Sequence, residues 1–111
     1  MDYLTVLEDA KASIVIKKSE FIAHLHHCES AGEAQDFIDA IKKDHFRARH
    51  NCYAYVIGES GELKKASDDG EPSSTAGRPI LSAIENAGLV NVVIVVTRYF
   101  GGIKLGANGL V

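Results

Sequence analysis

Two stretches hold the residues whose types and spacing could do chemistry. One is Asp68-Asp69-Gly70-Glu71-Pro72-Ser73-Ser74-Thr75-Ala76-Gly77-Arg78-Pro79; the other runs from Thr97-Arg98-Tyr99-Phe100-Gly101-Gly102 through Ile103-Lys104-Leu105-Gly106 to Gly109. Both mix glycines with charged and hydroxyl residues, the composition of a loop that approaches something closely. Asp68, Asp69 and Glu71 are hard oxygen donors of the kind that hold a divalent cation such as Mg²⁺. The amides of residues 74–77 precede a helix whose first turn Pro79 suits, and amides so placed attract anions. Arg78, Arg98 and Lys104 would add charge-assisted donors. Ser73, Thr75 and Tyr99 bring hydroxyls, completing a candidate binding set with no catalytic residue, metal or cofactor assigned. Two accounts of this set stay open. In one, the three cations and the amides near Thr75 take a phosphate. In the other, Asp68, Asp69 and Glu71 neutralise the same arginines and only brace the loops.

Several familiar chemistries do not fit. Lys104 is followed by Leu105, so the glycine-rich loop is not a Walker phosphate loop, and the glycine spacing is wrong for a dinucleotide fingerprint. The five histidines, at 24, 26, 27, 45 and 50, are remote in sequence from both loops, and no Ser/His/Asp arrangement can be built.

The elements that must position these loops follow from pattern. Ser13 to Lys17 and Phe21 to Cys28 read as an antiparallel hairpin turning at Lys18-Ser19-Glu20. Ser30 and Glu33 have capping-box spacing, and Ala34, Phe37, Ile38 and Ile41 form one apolar helical stripe ending near Asp44. His50 to Gly58 is a strand and Leu63 to Ser67 a polar edge strand. A second helix is expected over 78–87, with Gly88 closing it. Asn91 to Thr97 is apolar on both faces and reads as a buried central strand. If the strands feeding the two loops run parallel, both loops lie on one edge of the sheet. The order is α+β, with helices on one face of a mixed sheet. Everything before residue 60 reads as scaffold, and residues 46–49 as a mere connector.

Composition narrows the classes. A chain of 111 residues is one domain, and 46% hydrophobic with 24% charged residues is ordinary for a globular core. A net charge of −3 gives no general attraction to nucleic acid or membrane, so such a contact would need a local basic patch. The longest strongly apolar run, Val92 to Val96, cannot span a bilayer. Two cysteines without CxxC spacing, and an acidic start where a signal peptide would be basic, point to a reduced, cytoplasmic protein. His24, His26 and Cys28 share a strand face, and His50 or Cys52 could complete a zinc site. Their spacing argues against it and for a solvated face.

Asp68 to Ser73, Thr75-Ala76-Gly77 and Val96 to Gly106 resemble the signature of the IMPACT/YigZ family; Lys18-Ser19 with Phe21-Ile22-Ala23, and His50-Asn51-Cys52 with Ala54-Tyr55, resemble its earlier motifs. Ser74 and Asn108 stand where the family usually has glycine. The resemblance covers about residues 13–111 and implies a two-layer α+β sandwich like the second domain of ribosomal protein S-five. It also implies a left-handed β-α-β crossover, against the usual rule, and a chain cut short before a last helix and a second domain. It implies a non-enzymatic regulator or binding module in translation, with ribosome, RNA or a translation-associated protein as partner. The alternative is a Mg²⁺-dependent enzyme acting on a phosphorylated small molecule or nucleotide. With two helices covering one layer, self-association through an uncovered sheet face is also expected.

Overall fold

A computed structural model describes residues 4–16, 18–48, 50–69 and 77–99. Five strands form one sheet: β1 (Ala10–Ile16), β2 (Ser19–His27), β3 (His50–Ile57), β4 (Leu63–Ser67) and β5 (Val92–Tyr99). Two helices join them, α1 (Ala31–Asp44) and α2 (Gly77–Asn86). The strand order is β1-β2-β5-β3-β4, which puts the valine-rich strand in the centre.

Every neighbouring pair is antiparallel, so the sheet is not mixed. β4 and β5 do run in the same direction, but β3 lies between them and pairs with both. The two loops that follow β4 and β5 therefore leave the same end of the sheet.

The helices lie on opposite faces, not one. Tyr53, Tyr55, Ile57, Val93 and Val95 pack with Ala34, Ile38 and Ile41 of α1. Ala54, Val56 and Val92 pack with Ile84 of α2. These two sets alternate along β3 and β5, as a period of two requires. This is why both strands are apolar on both sides. A topological consequence follows. α1 links β2 to β3 and α2 links β4 to β5, each pair parallel in direction and separated by one strand. The crossovers travel in opposite directions along strands of opposite sense, so equal hands would put both helices on one face. Opposite faces require opposite hands, and one crossover is left-handed.

Local chemistry sets the element ends. Ser30 caps α1, its hydroxyl accepting from the Glu33 amide at 3.1 Å. The Glu33 carboxylate accepts from the Glu29 amide at 2.7 Å, one residue short of the capping-box partner. Lys18 turns the β1–β2 hairpin at φ 69°. Residues 4–6 close the far end: Leu4 bridges Leu89, and Val6 packs on the α2-side core.

α2 rests on β3 and β4. On that same side Phe21, Ala23, Leu25, Ile94 and Val96 are half-buried, and Ile14 is exposed. Self-association was expected through an uncovered sheet face; this strip is the part of the α2-side face that lies beyond that helix's strands.

Candidate binding site

At the end where β5 finishes, four segments meet: the starts of β2 and β3, the end of β4 with the start of α2, and the end of α1. Asp68 and Asp69 are drawn inward there. The Asp68 carboxylate accepts from the Gly77 amide at 2.7 Å and so caps α2. Its carbonyl accepts from the Cys52 thiol at 3.2 Å. The Asp69 carboxylate takes the Asn51 amide at 2.8 Å and its carbonyl lies 2.8 Å from His50 Nδ1. Lys42 reaches Asp69 at 3.4 Å and also lies over the Tyr53 ring. The Asp69 carboxylate and the Asp68 carbonyl thus stitch the end of β4 to β3, while the Asp68 carboxylate holds the start of α2. Among the described contacts, the cation that Asp69 meets is Lys42.

The described basic residues of the candidate set both belong to the α2 side. Arg98 is half-buried, with its guanidinium over the Phe21 ring at 5.4 Å. Arg78 is exposed at the start of α2. Tyr99 points the other way, as adjacent strand residues must. It is buried on the α1 side, where its hydroxyl shares a 2.7 Å hydrogen bond with His45 Nδ1. Glu71, Ser73, Thr75 and Lys104, with the amides around Thr75, fall outside the described residues.

Gly77 shows why this loop needs glycine. A Cβ there would sit 2.7 Å from the backbone N, C and O of Ser67. The α2 N-terminus is thus clamped against the end of β4, which fixes where Arg78 stands.

A buried polar network lies beneath the site on the α1 side. The Thr97 hydroxyl, fully buried, donates to Asn51 Oδ1 at 2.5 Å. His24 Nε2 lies 3.3 Å from the same hydroxyl oxygen. Because the single hydroxyl proton goes to Asn51, His24 must carry its proton on Nε2 and donate it. The His24 and His45 rings are 5.2 Å apart. Burial pushes His24 down to about 4, with His45 and Lys11 adding to the effect. Burial, then Lys11, lowers His45; burial, then Glu20, raises the Tyr99 phenol. Both imidazoles are therefore neutral at pH 7.

The His24/His26/Cys28 face is not a solvated face: α1 covers it. Cys28 is fully buried and burial, reinforced by Glu33, pushes its thiol up to about 12. His26 stacks on Phe37 at 4.4 Å and meets Asp9 at 2.6 Å. Each candidate ligand there is engaged in packing or pairing.

One part of this end escaped the sequence reading. The end of α1 and the turn after it carry Lys43, Phe46 and Arg47, all exposed, with the Arg47 guanidinium 5.5 Å above the Phe46 ring. The signal was available in the run Lys42-Lys43-Asp44-His45-Phe46-Arg47, where bases flank an aromatic outside any apolar stripe.

Comparison with known proteins agrees with the motifs. The family model of the Impact N-terminal domain matches residues 17–111. The IMPACT family member YvyE of Bacillus subtilis is 56% identical over 98% of this chain and 50% of its own length. The IMPACT family member YigZ of Escherichia coli is 41% identical over 97% of this chain and 51% of its own. The chain spans about half the length of these relatives. Among solved structures, the two-domain translational regulator Yih1 superimposes with a TM-score of 0.68 at 29% identity, over 95% of this chain and 42% of that one. Signature motifs, five-stranded α+β fold and these matches lead to one conclusion: the chain belongs to the IMPACT family, of which it represents the N-terminal domain.

Proposed function

We propose that this domain is a non-catalytic binding module of a translation regulator, and that it meets the translation apparatus with the sheet end where β5 finishes. The observation that carries this reading is the distribution of charge. The chain is net negative, yet Lys18, Lys42, Lys43, Arg47, Arg78 and Arg98 all belong to this end, where they outnumber the described carboxylates Glu20, Asp44, Asp68 and Asp69. The opposite end carries Glu29, Glu59 and Glu62. Such polarity orients a protein toward phosphate-rich surfaces without making the whole molecule sticky. The likeness to Yih1, described as a translational regulator, supports the setting. The alternative, a Mg²⁺ enzyme, has less to draw on, because the Asp68 and Asp69 carboxylates already accept from backbone amides.

Cosedimentation with ribosomes over a salt series tests the proposal. Arg78 is the clean probe, since it is exposed; Arg78→Ala should weaken binding and flatten its salt dependence by about one phosphate contact, with Tm unchanged. Arg98→Ala should lower Tm as well, because the guanidinium packs on Phe21. Salt-insensitive binding, or wild-type binding by Arg78→Ala, would sink the assignment of the contact to this end.

A further inference from the structure

We infer that the turn following α1 is a stacking platform for single-stranded RNA, with Phe46 as the base-stacking surface and Lys43 and Arg47 as the phosphate contacts. The inference names the ligand class of the end proposed above, and so rests on that reading for its biological setting.

Phe46 is 68% exposed, the largest exposure of any aromatic side chain among the described residues. It belongs to neither core cluster. With about two-thirds of its surface in water the ring adds little to the core, and what sets it apart from an ordinary exposed apolar residue is the cationic side chain laid over it. Its surroundings are not those of a protein-binding apolar patch either. Its neighbours in sequence are Lys43 and Asp44 at the end of α1 and His45 and Arg47 in the turn, and Arg47 covers one face of the ring at 5.5 Å. An exposed aromatic with a guanidinium on one face leaves the other face for a second flat π-system. A nucleobase fits that place, with the exposed guanidinium near enough to meet a phosphate of the same strand.

The turn is also rigid in the way a platform requires. His45 closes α1 by donating its amide to the Ile41 carbonyl at 2.9 Å, and the Ala48 amide donates to the His45 carbonyl at 3.0 Å. The His45 side chain is anchored to Tyr99 of the central strand. Phe46 and Arg47 therefore project from a segment pinned at three points, so little ordering opposes binding. Lys43 in the last helical turn extends the cationic track from the same side, while Lys42 is engaged with Asp69. Stacking and phosphate contacts make recognition tolerant of sequence and selective for unpaired strands.

The test uses the full 111-residue chain and a fluorescent twelve-nucleotide oligouridine, read by anisotropy at low and moderate salt, with an RNA duplex of the same length as control. The single strand should bind better than the duplex, whose bases are already stacked. Phe46→Ala should weaken the single-strand complex roughly tenfold, in line with the loss of one stacked base, and leave the salt dependence and Tm unchanged; Phe46→Trp should restore binding. Arg47→Ala and Lys43→Ala should each reduce the salt slope by roughly 0.7. Equal affinity of Phe46→Ala and wild type for oligouridine overturns the inference, as does duplex binding tighter than single-strand binding. Ribosome binding with no oligouridine binding overturns it too, leaves the translation reading standing, and assigns the end to a protein contact. Oligouridine binding lost in Phe46→Ala, with no ribosome binding, sustains the platform and removes its setting.

Discussion

The two ends of β5 are held by different chemistry. At its start, Asn91 adopts φ 56° and gathers three partners: its side chain accepts from the Gly58 amide, and its carbonyl takes the Cys28 amide and the Thr5 hydroxyl. These three bonds all involve backbone groups of Asn91 or its neighbours, and the one imidazole described nearby, His27, reaches them only through the Thr5 hydroxyl at 3.0 Å. At its finish, Thr97 and Tyr99 bond to Asn51, His24 and His45, so the contacts run from side chain to side chain and include two imidazoles. The first end closes the fold. The second joins the core to the cationic surface proposed above as the binding end, and is the one that pH and substitution should disturb most.

Acid should separate them most clearly. His24 is neutral in the fold, held by burial down to about 4 from the ordinary histidine value of 6.5. The unfolded chain takes up a proton near 6.5, so the fold loses nothing above that pH. Below it, stability falls as pH drops, and the loss levels off near 4. At about 1.4 kcal/mol per pH unit, the upper bound is roughly 3 kcal/mol. His45 acts in the same direction. His24→Gln keeps a donor for Thr97 but cannot titrate. Urea unfolding at several pH values between 4 and 7 should give a flatter profile for the variant; parallel profiles would mean the imidazole is not buried neutral.

Next in size is Gly77→Ala. Its Cβ would meet Ser67 backbone, which cannot give as a flexible side chain could. Such overpacking costs about 2–3 kcal/mol, or roughly 10 °C or more in Tm for a domain of this size. An unchanged Tm would show that α2 is not clamped at the finishing end. Asn91→Ala probes the other end: it leaves the Gly58 amide unsatisfied, costing about 1–2 kcal/mol. Unlike the His24 effect, this loss should be the same at pH 5 and pH 7.

The elements were legible in the sequence because local rules make them. Ser30 with Glu33, the Ala34-Phe37-Ile38-Ile41 stripe, and the valine run of β5 each specify their element by capping or periodicity. The arrangement was not. A strand apolar on both faces says that both faces are covered. It does not say by which helix, and the expectation of one helical layer failed there. The strands that lead into the two loops do run the same way and end on one side of the sheet, but through β3 as a shared antiparallel neighbour rather than by direct pairing. The network of His24, Asn51 and Thr97 joins residues 73 and 46 positions apart, beyond the reach of any periodicity. Its one local trace was Thr97, a hydroxyl ending a run of buried valines, which had to find a partner. Asp68 and Asp69 looked like ligands because their chemistry suits both roles; only the fold reveals that backbone amides already use them.

The smallest expected effect concerns the starting end's surface charges. Lys64 of β4 meets Glu85 of α2 at 2.7 Å, with both side chains nearly half exposed. The distance is that of a strong charge-assisted hydrogen bond, but both groups keep much of their water, and ordering two long side chains opposes the gain. A double-mutant cycle with Lys64→Ala and Glu85→Ala should give a coupling of about 0.2–1 kcal/mol. Added salt at about 1 M shortens the screening length to roughly 3 Å and should remove most of it. The same salt should leave the Gly77→Ala and Asn91→Ala losses in place, since neither arises from a charge pair. A coupling well above this range, or one that persists in salt, would make the starting end as dependent on side-chain electrostatics as the finishing end, and the contrast between them would fail.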